Sequence, residues 1–153
     1  MRKARMSDVP RIHALINRFA EQGLMLAVSR AELYERLRDF SVMEEEGQVA
    51  GTVAVHFIWE DLAELRSLAV APERRGTGLG RALVEHALAE AREYACRRVF
   101  TLTYIPPFFE KLGFARIDKA ELPHKVWTDC IKCPKFPDCG EVPLAYEIPR
   151  EET

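Results

Sequence analysis

Leu68-Ala69-Val70-Ala71-Pro72-Glu73-Arg74-Arg75-Gly76-Thr77-Gly78-Leu79-Gly80-Arg81-Ala82-Leu83 joins an apolar run to an amphipathic one through an Arg- and Gly-rich turn. The apolar part reads as the end of a buried strand, stopped at Pro72. From Gly78 to Tyr94 the period changes to that of a helix. Leu79, Leu83, Ala87 and Ala91 fall on one face of it. A helix start leaves backbone N–H groups without partners and carries a partial positive charge, so it suits anions. Gly76, Gly78 and Gly80 let the chain approach a phosphate closely. Arg75 and Arg81 add side-chain charge at the same place.

Two familiar phosphate loops do not fit. A dinucleotide fingerprint needs its glycines by the first strand and an acidic ribose ligand after the next. A P-loop needs a terminal Gly-Lys-Ser/Thr, which is absent. Glycine spacing alone leaves open an ordinary helix cap with incidental glycines.

On the N-terminal side, Arg2 to Arg5 is extended and Ser7 is placed to cap a helix with Pro10 in its first turn. Ile12, Leu15, Ile16 and Phe19 form its buried face. Ser29 and Glu32 have capping-box spacing and open a second helix, with Leu33, Leu37 and Phe40 as its apolar stripe. Ser41 to Glu44 is a strand, followed by a turn over Glu45-Glu46-Gly47-Gln48. Val49, Gly51, Val53, Val55 and Phe57 alternate, which predicts a half-buried strand to Trp59. After Glu60-Asp61, Ala63 to Val70 is a third strand. On the C-terminal side, Arg97 to Thr103 is a strand, Phe108 to Leu112 a short helix, and Phe114 to Asp118 a strand. Lys119 to Gly140 shows no clear period, and Val142 to Ile148 is a last strand. Uneven alternation with tight turns predicts an α/β domain with a mixed sheet over residues 1–153.

The 153 residues carry 22 Lys+Arg against 24 Asp+Glu, a formal net charge of −2. That balance argues against nucleic acid or an anionic membrane surface as partner. The longest strictly apolar run, Leu24 to Val28, is far short of the roughly 18 residues of a membrane span. No apolar stretch follows the basic start, so a cytoplasmic location is expected.

The run Leu68-Ala69-Val70 with Arg75-Gly76-Thr77-Gly78-Leu79-Gly80 resembles the acetyl-CoA loop of the GNAT acetyltransferases. Phe109-Glu110-Lys111-Leu112-Gly113-Phe114 resembles that superfamily's second hallmark, in the expected order and separation. The resemblance implies a splayed mixed sheet of six or seven strands flanked by about four helices. It also implies a cofactor site. Leu68 and Val70, with Ala69 between them, would face the pantetheine arm. Arg75, Gly76, Thr77, Gly78, Leu79, Gly80 and Arg81 would hold the pyrophosphate, and Phe109 would close the site from the second motif.

Within the superfamily, three stretches resemble the short bacterial N-acetylglutamate synthases. They are Trp59 to Val70, Phe100 to Tyr104, and Leu122-Pro123-His124-Lys125-Val126-Trp127. The resemblance implies transfer of acetyl from acetyl-CoA to the α-amine of L-glutamate by direct attack. Such an amine is an ammonium ion at neutral pH and needs a base. Glu64 is the candidate, on a strand face that alternation assigns also to Arg66, Leu68 and Val70; a solvated Glu64–Arg66 charge pair is the other reading. Many relatives carry a Tyr in the second motif where this chain has Phe109. Tyr104 is the candidate to protonate the departing thiolate, ahead of Thr103; a rim residue without that role is the other reading.

Arg30, Arg66 and Lys125 are the candidates for substrate carboxylates. Relatives carry an Arg just before Ser29, where this chain has Ala27-Val28. Two further readings therefore stay open, namely a different amino acid or small amine as acceptor, and an acetyl-CoA-binding sensor. A homodimer through a sheet edge or the C-terminal strand is compatible with a domain of this size.

Cys130, Cys133 and Cys139 follow a C-x2-C-x5-C pattern, with His124 six residues upstream. That spacing allows a tetrahedral zinc site, yet the second C-x2-C of a zinc ribbon is missing, so packed thiols are expected and no metal is assigned. Cys96 reads as a core thiol. His13, His56 and His86 are expected to be surface or packing residues, and Trp59 and Trp127 to pack in the core, with a place flanking the substrate side as the other reading.

Overall fold

The computed structural model describes residues 1–74, 76–122 and 141–149. Its strands are β1 (Arg2–Lys3), β2 (Phe40–Glu45), β3 (Gln48–Trp59), β4 (Leu62–Val70), β5 (Arg98–Thr103), β6 (Ala115–Arg116) and β7 (Val142–Glu147). Its α-helices are α1 (Val9–Glu21), α2 (Arg30–Glu35), α3 (Leu79–Glu93) and α4 (Pro106–Glu110). The strands form one seven-stranded sheet in the order β1-β2-β3-β4-β5-β7-β6. All neighbours are antiparallel except β4 and β5, which α3 connects as a crossover. The expected mixed α/β sheet of seven strands with four helices is therefore observed. Among the described residues no helix is long and apolar enough to cross a membrane.

Local signals explain most elements. Ser29 Oγ accepts the Glu32 amide at 3.2 Å and starts α2. Glu46 and Gly47 both have positive φ, 52° and 77°, and close the β2–β3 hairpin with Glu45 opposite Gln48. Gly51 lies against α3, where a Cβ would meet Leu83 Cδ1 at 2.8 Å.

Three expectations change. Ser7 is not the cap of α1. It sits inside a 3₁₀ turn, Met6–Asp8, and Asp8 leads into the helix. The Asp8 carboxylate accepts from the Arg5 amide at 2.7 Å and from both Arg2 terminal nitrogens, at 2.7 and 3.0 Å. The stripe Leu33-Leu37-Phe40 spans more than one element, because α2 stops at Glu35 and Leu37–Asp39 is a 3₁₀ turn. β3 is buried on both faces from Val49 to Val55 rather than half-buried. Val53 and Val55 pack with Leu79, Leu83 and Ala87 of α3, while Ala54 packs with Ile12 and Ile16 of α1. The sheet is thus sandwiched, with α3 on one side and α1 and α2 on the other.

Candidate active site

β4 and β5 pair only through Leu62–Arg98, Ala63–Val99 and Glu64–Phe100. Beyond that point each strand keeps its outer neighbour. Val70 still pairs with Gly51 of β3, and Thr103 with Val142 of β7. The inner edges separate, and Thr101 Oγ1 donates to the Leu65 carbonyl at 3.0 Å where the wedge begins. A parted pair leaves backbone N–H and C=O groups facing open space, and those groups need partners. The resulting cleft measures about 1280 Å³. That exceeds the roughly 300–1,000 Å³ of a single small-ligand pocket, so it can hold a long cofactor together with an acceptor.

One end of the cleft is built for anions. Gly78 has φ 84° and provides no capping side chain, and the Ala82 amide makes the first intrahelical bond, to the Gly78 carbonyl. The amides of Leu79, Gly80 and Arg81 therefore precede the helical ladder. Gly76, Gly78, Leu79, Gly80 and Arg81 all line this end, as does Arg74. Gly80 is tight: a Cβ there would meet Phe108 Cζ at 3.3 Å. Arg81 Nε lies 2.9 Å from Glu85 Oε1 on the exposed helix surface. Thr77 and Ala69 are not part of the lining. Thr77 Oγ1 instead donates to the Arg74 carbonyl, and Ala69 packs on the α1 side of the sheet. Arg75 lies outside the described residues.

The strand alternation expected for Glu64, Arg66, Leu68 and Val70 does not hold. Arg66 pairs with Ala54 and Ala69 with Thr52, so Ser67 and Leu68 together oppose Val53. Ser67 has φ 54°. This is a bulge, and it reverses the facing of everything after it. Leu65, Leu68 and Val70 face α3, where Leu68 and Val70 pack beside Phe108 and Phe109. Glu64 and Arg66 face α1 and α2. Phe109 is buried in edge-to-face contact with Phe108 and Phe114.

Glu64 and Arg66 form an ion pair, Nε to Oε1 at 2.7 Å, with side-chain exposures of only 11% for Glu64 and 20% for Arg66. The pair is thus buried rather than solvated. Tyr104 lines the same cleft, just past β5, and Thr103 Oγ1 accepts the Ile105 amide at 3.0 Å.

Arg30 is not brought to the cleft; it stands exposed at the start of α2. The residues that α2 and its following turn do present there are Glu32, Arg36, Asp39 and Phe40. Glu32 and Arg36 stand one turn apart at the end of α2, on a stripe that excludes position 30, while Asp39 belongs to the 3₁₀ turn and Phe40 to β2. The polar half of that stripe was readable in the sequence, and reading only its apolar positions missed Arg36. Opposite it, Leu24 to Val28 form an apolar wall.

Contacts place the remaining residues. His56 Nδ1 lies 2.8 Å from Asp39 Oδ2, and His86 Nε2 lies 3.2 Å from Ser41 Oγ, so neither ring lacks a partner. Trp59 is 70% exposed at the end of β3, not a core residue. Cys96 is buried as expected, its thiol donates to the Arg98 carbonyl at 3.3 Å, and burial pushes its pKa up. Lys125, Trp127, His124, Cys130, Cys133 and Cys139 lie outside the described residues.

Residues 10–114 match the acetyltransferase (GNAT) family. The chain belongs to the GNAT acetyltransferases. It is 41% identical over 148 residues to an uncharacterised N-acetyltransferase of Chlorobaculum tepidum, covering 97% of this chain and 96% of the relative. It is 37% identical over 132 residues to the amino-acid acetyltransferase of Mycobacterium tuberculosis, covering 84% and 75%. Its fold matches N-acetylglutamate synthase of Neisseria gonorrhoeae, solved with coenzyme A and N-acetyl-glutamate. The TM-score is 0.89 at 30% identity, over 97% of this chain and 35% of that one. This GNAT domain is therefore an N-acetyltransferase that uses acetyl-CoA.

Proposed function

We propose that this N-acetyltransferase acetylates the α-amine of L-glutamate, the first step toward arginine. The observation that carries the reading is the buried Glu64–Arg66 pair at the point where β4 and β5 part. It offers a carboxylate to accept a proton and a guanidinium to hold a carboxylate on one sheet face. The likeness to amino-acid acetyltransferases supports an acceptor of that class.

In this reading pantetheine runs along the open edge of β4 beside Leu68 and Val70. The amides from Gly76 to Arg81, with Arg75, take the pyrophosphate. Glu64 removes a proton from the acceptor ammonium, directly or through water. The amine attacks the thioester carbonyl, forming the C–N bond. The C–S bond then breaks and Tyr104 gives the departing thiolate its proton; the nitrogen loses its second proton to water as the amide forms, and Tyr104 is reprotonated from water.

A second reading follows from the apolar wall at Leu24 to Val28, which includes Ala27-Val28. Such a wall favours an amino acid with a neutral side chain, such as glutamine. Release of CoA thiol from acetyl-CoA, measured with glutamate, glutamine and aspartate, separates the two. Glutamate-dependent release is the expected result. Release with glutamine alone moves the assignment to the second reading, and no release with any amino acid removes both.

A further inference from the structure

Four guanidinium groups line the cleft among the described residues: Arg36, Arg66, Arg74 and Arg81. Three are held by carboxylates of the chain itself. Arg66 is bound to Glu64 at 2.7 Å, Arg74 to Glu45 at 3.0 Å and Arg81 to Glu85 at 2.9 Å. Arg74 and Arg81 also belong to the anion end. Arg36 is different. Among the described residues its guanidinium has no ion pair and no hydrogen bond. The acidic residues of α2 and its turn that line the cleft do not serve it. Asp39 is engaged with His56 at 2.8 Å, and Glu32, one turn back, stays exposed and beyond ion-pair distance.

Arg36 is nevertheless half-buried. It stands three residues after Leu33, which is 1% exposed in the core with α1, so the two share a helix face turned to the sheet. A guanidinium that lines a cleft and has no acceptor among the described residues is open to a ligand that supplies one. The ligand that matches a planar fork is a carboxylate or phosphate. The phosphates are accounted for at the other end, about 20 Å of strand away from Glu64.

We infer that Arg36 is the subsite for the side-chain carboxylate of an acidic amino-acid acceptor. This rests on the amino-acid reading of the cleft and adds its specificity determinant. The assignment of the two carboxylates follows from the chemistry of the acceptor. The base must touch the α-amine, and the α-carboxylate is one carbon away from that amine. Arg66, bonded to the base, is therefore the cation beside the α-carboxylate. Arg36, at the C-cap of α2, lines the cleft on the same side of the sheet and is assigned what lies farther along the molecule. A neutral amide in that position would leave its charge uncompensated.

The test uses Arg36→Gln and Arg36→Lys in the full chain. The ratio of kcat/KM for glutamate over glutamine is expected to fall about tenfold or more in Arg36→Gln, the scale of a lost hydrogen bond to a charged group. Arg36→Lys is expected to recover part of that ratio, because it keeps the charge without the fork. An unchanged ratio in Arg36→Gln overturns the inference. A second measurement does not depend on turnover. Glutarate, a dicarboxylate with no amine, is titrated calorimetrically into CoA-loaded protein. Binding that weakens about tenfold or more in Arg36→Gln supports the subsite even where the turnover assay finds an acceptor other than glutamate. Equal binding in the wild type and Arg36→Gln, or no binding to the wild type, overturns it.

Discussion

Arg66 Nε lies 2.7 Å from Glu64 Oε1, on the α1 and α2 side of the sheet, where β4 loses its pairing with β5. The guanidinium holds the carboxylate at the mouth of the wedge, in a fixed position relative to whatever lies along the open strand edge. A base positioned this way loses its chemistry, and little else, when it becomes an amide. Glu64→Gln keeps the shape and a hydrogen-bond acceptor for Arg66. We expect kcat to fall by about 10²–10⁴-fold, the range for a lost proton-transfer group. KM for acetyl-CoA should stay close to that of the wild type. Steady-state kinetics with acetyl-CoA and acceptor varied separately checks both, and near-normal kcat removes Glu64 as the base.

Tyr104 stands on the β5 side of the same cleft. If its hydroxyl protonates the thiolate, Tyr104→Phe lowers kcat and removes the high-pH limb of the rate profile. The loss should stay within about 10²-fold, because a thiolate needs less help than a poorer leaving group. An unchanged profile makes Tyr104 a wall residue only.

Gly51 supports the cofactor strand from behind. A Cβ there would sit 2.8 Å from Leu83 Cδ1 and 3.3 Å from the Ala69 carbonyl oxygen. Leu83 is fully buried and Ala69 belongs to β4, so neither yields easily. Gly51→Ala should destabilise the protein by about 1–3 kcal/mol, the usual effect of overpacking. Urea unfolding measures this. Because Gly51 is paired with Val70, a raised KM for acetyl-CoA should accompany the loss.

His86 is a pH-dependent element of stability. Burial lowers its pKa from the ordinary 6.5, with Lys3 acting in the same direction and Glu90 opposing. The unfolded chain therefore binds a proton that the folded chain refuses, and stability falls as pH drops below about 6.5. Above that pH both states are neutral at this position and the contribution is flat. The urea midpoint of the wild type should decline between about pH 7 and pH 5.5, and His86→Gln should flatten that decline. An equal decline in both proteins assigns the effect to other groups.

Most of the fold was legible because its signals are local. The Gly-rich turn, the Ser29 cap, the Glu46-Gly47 hairpin and the periodicity of α3 each follow from a few neighbouring residues. What was not legible depends on partners distant in sequence. Asp8 displaces Ser7 at the start of α1 because Arg2, on β1, reaches back to it. β3 is buried on both sides because α1, near the start of the chain, and α3, in its middle, cover the two faces. The Ser67 bulge has no residue-type signal, since serine rarely takes positive φ. It is fixed by the register between β3 and β4, which no short window contains. Arg36 was legible as a position on a polar stripe, but its lack of a carboxylate partner emerges only in three dimensions.

The bulge at Ser67 makes strand length as important as strand composition. Deleting residue 67 would leave every other side chain of β4 in place and still restore a two-residue repeat. Leu68 and Val70 would still face α3 and Ala69 the α1 side, whereas flattening the bulge with Ser67 kept would turn Leu68 and Val70 toward the acceptor side and Ala69 toward α3. Substituting any one of these residues alters one contact, whereas a regular pairing that kept Ser67 would exchange the roles of the two surfaces. Homologues one residue shorter here are therefore expected to keep the facing of the positions that follow and to lose only the bulge.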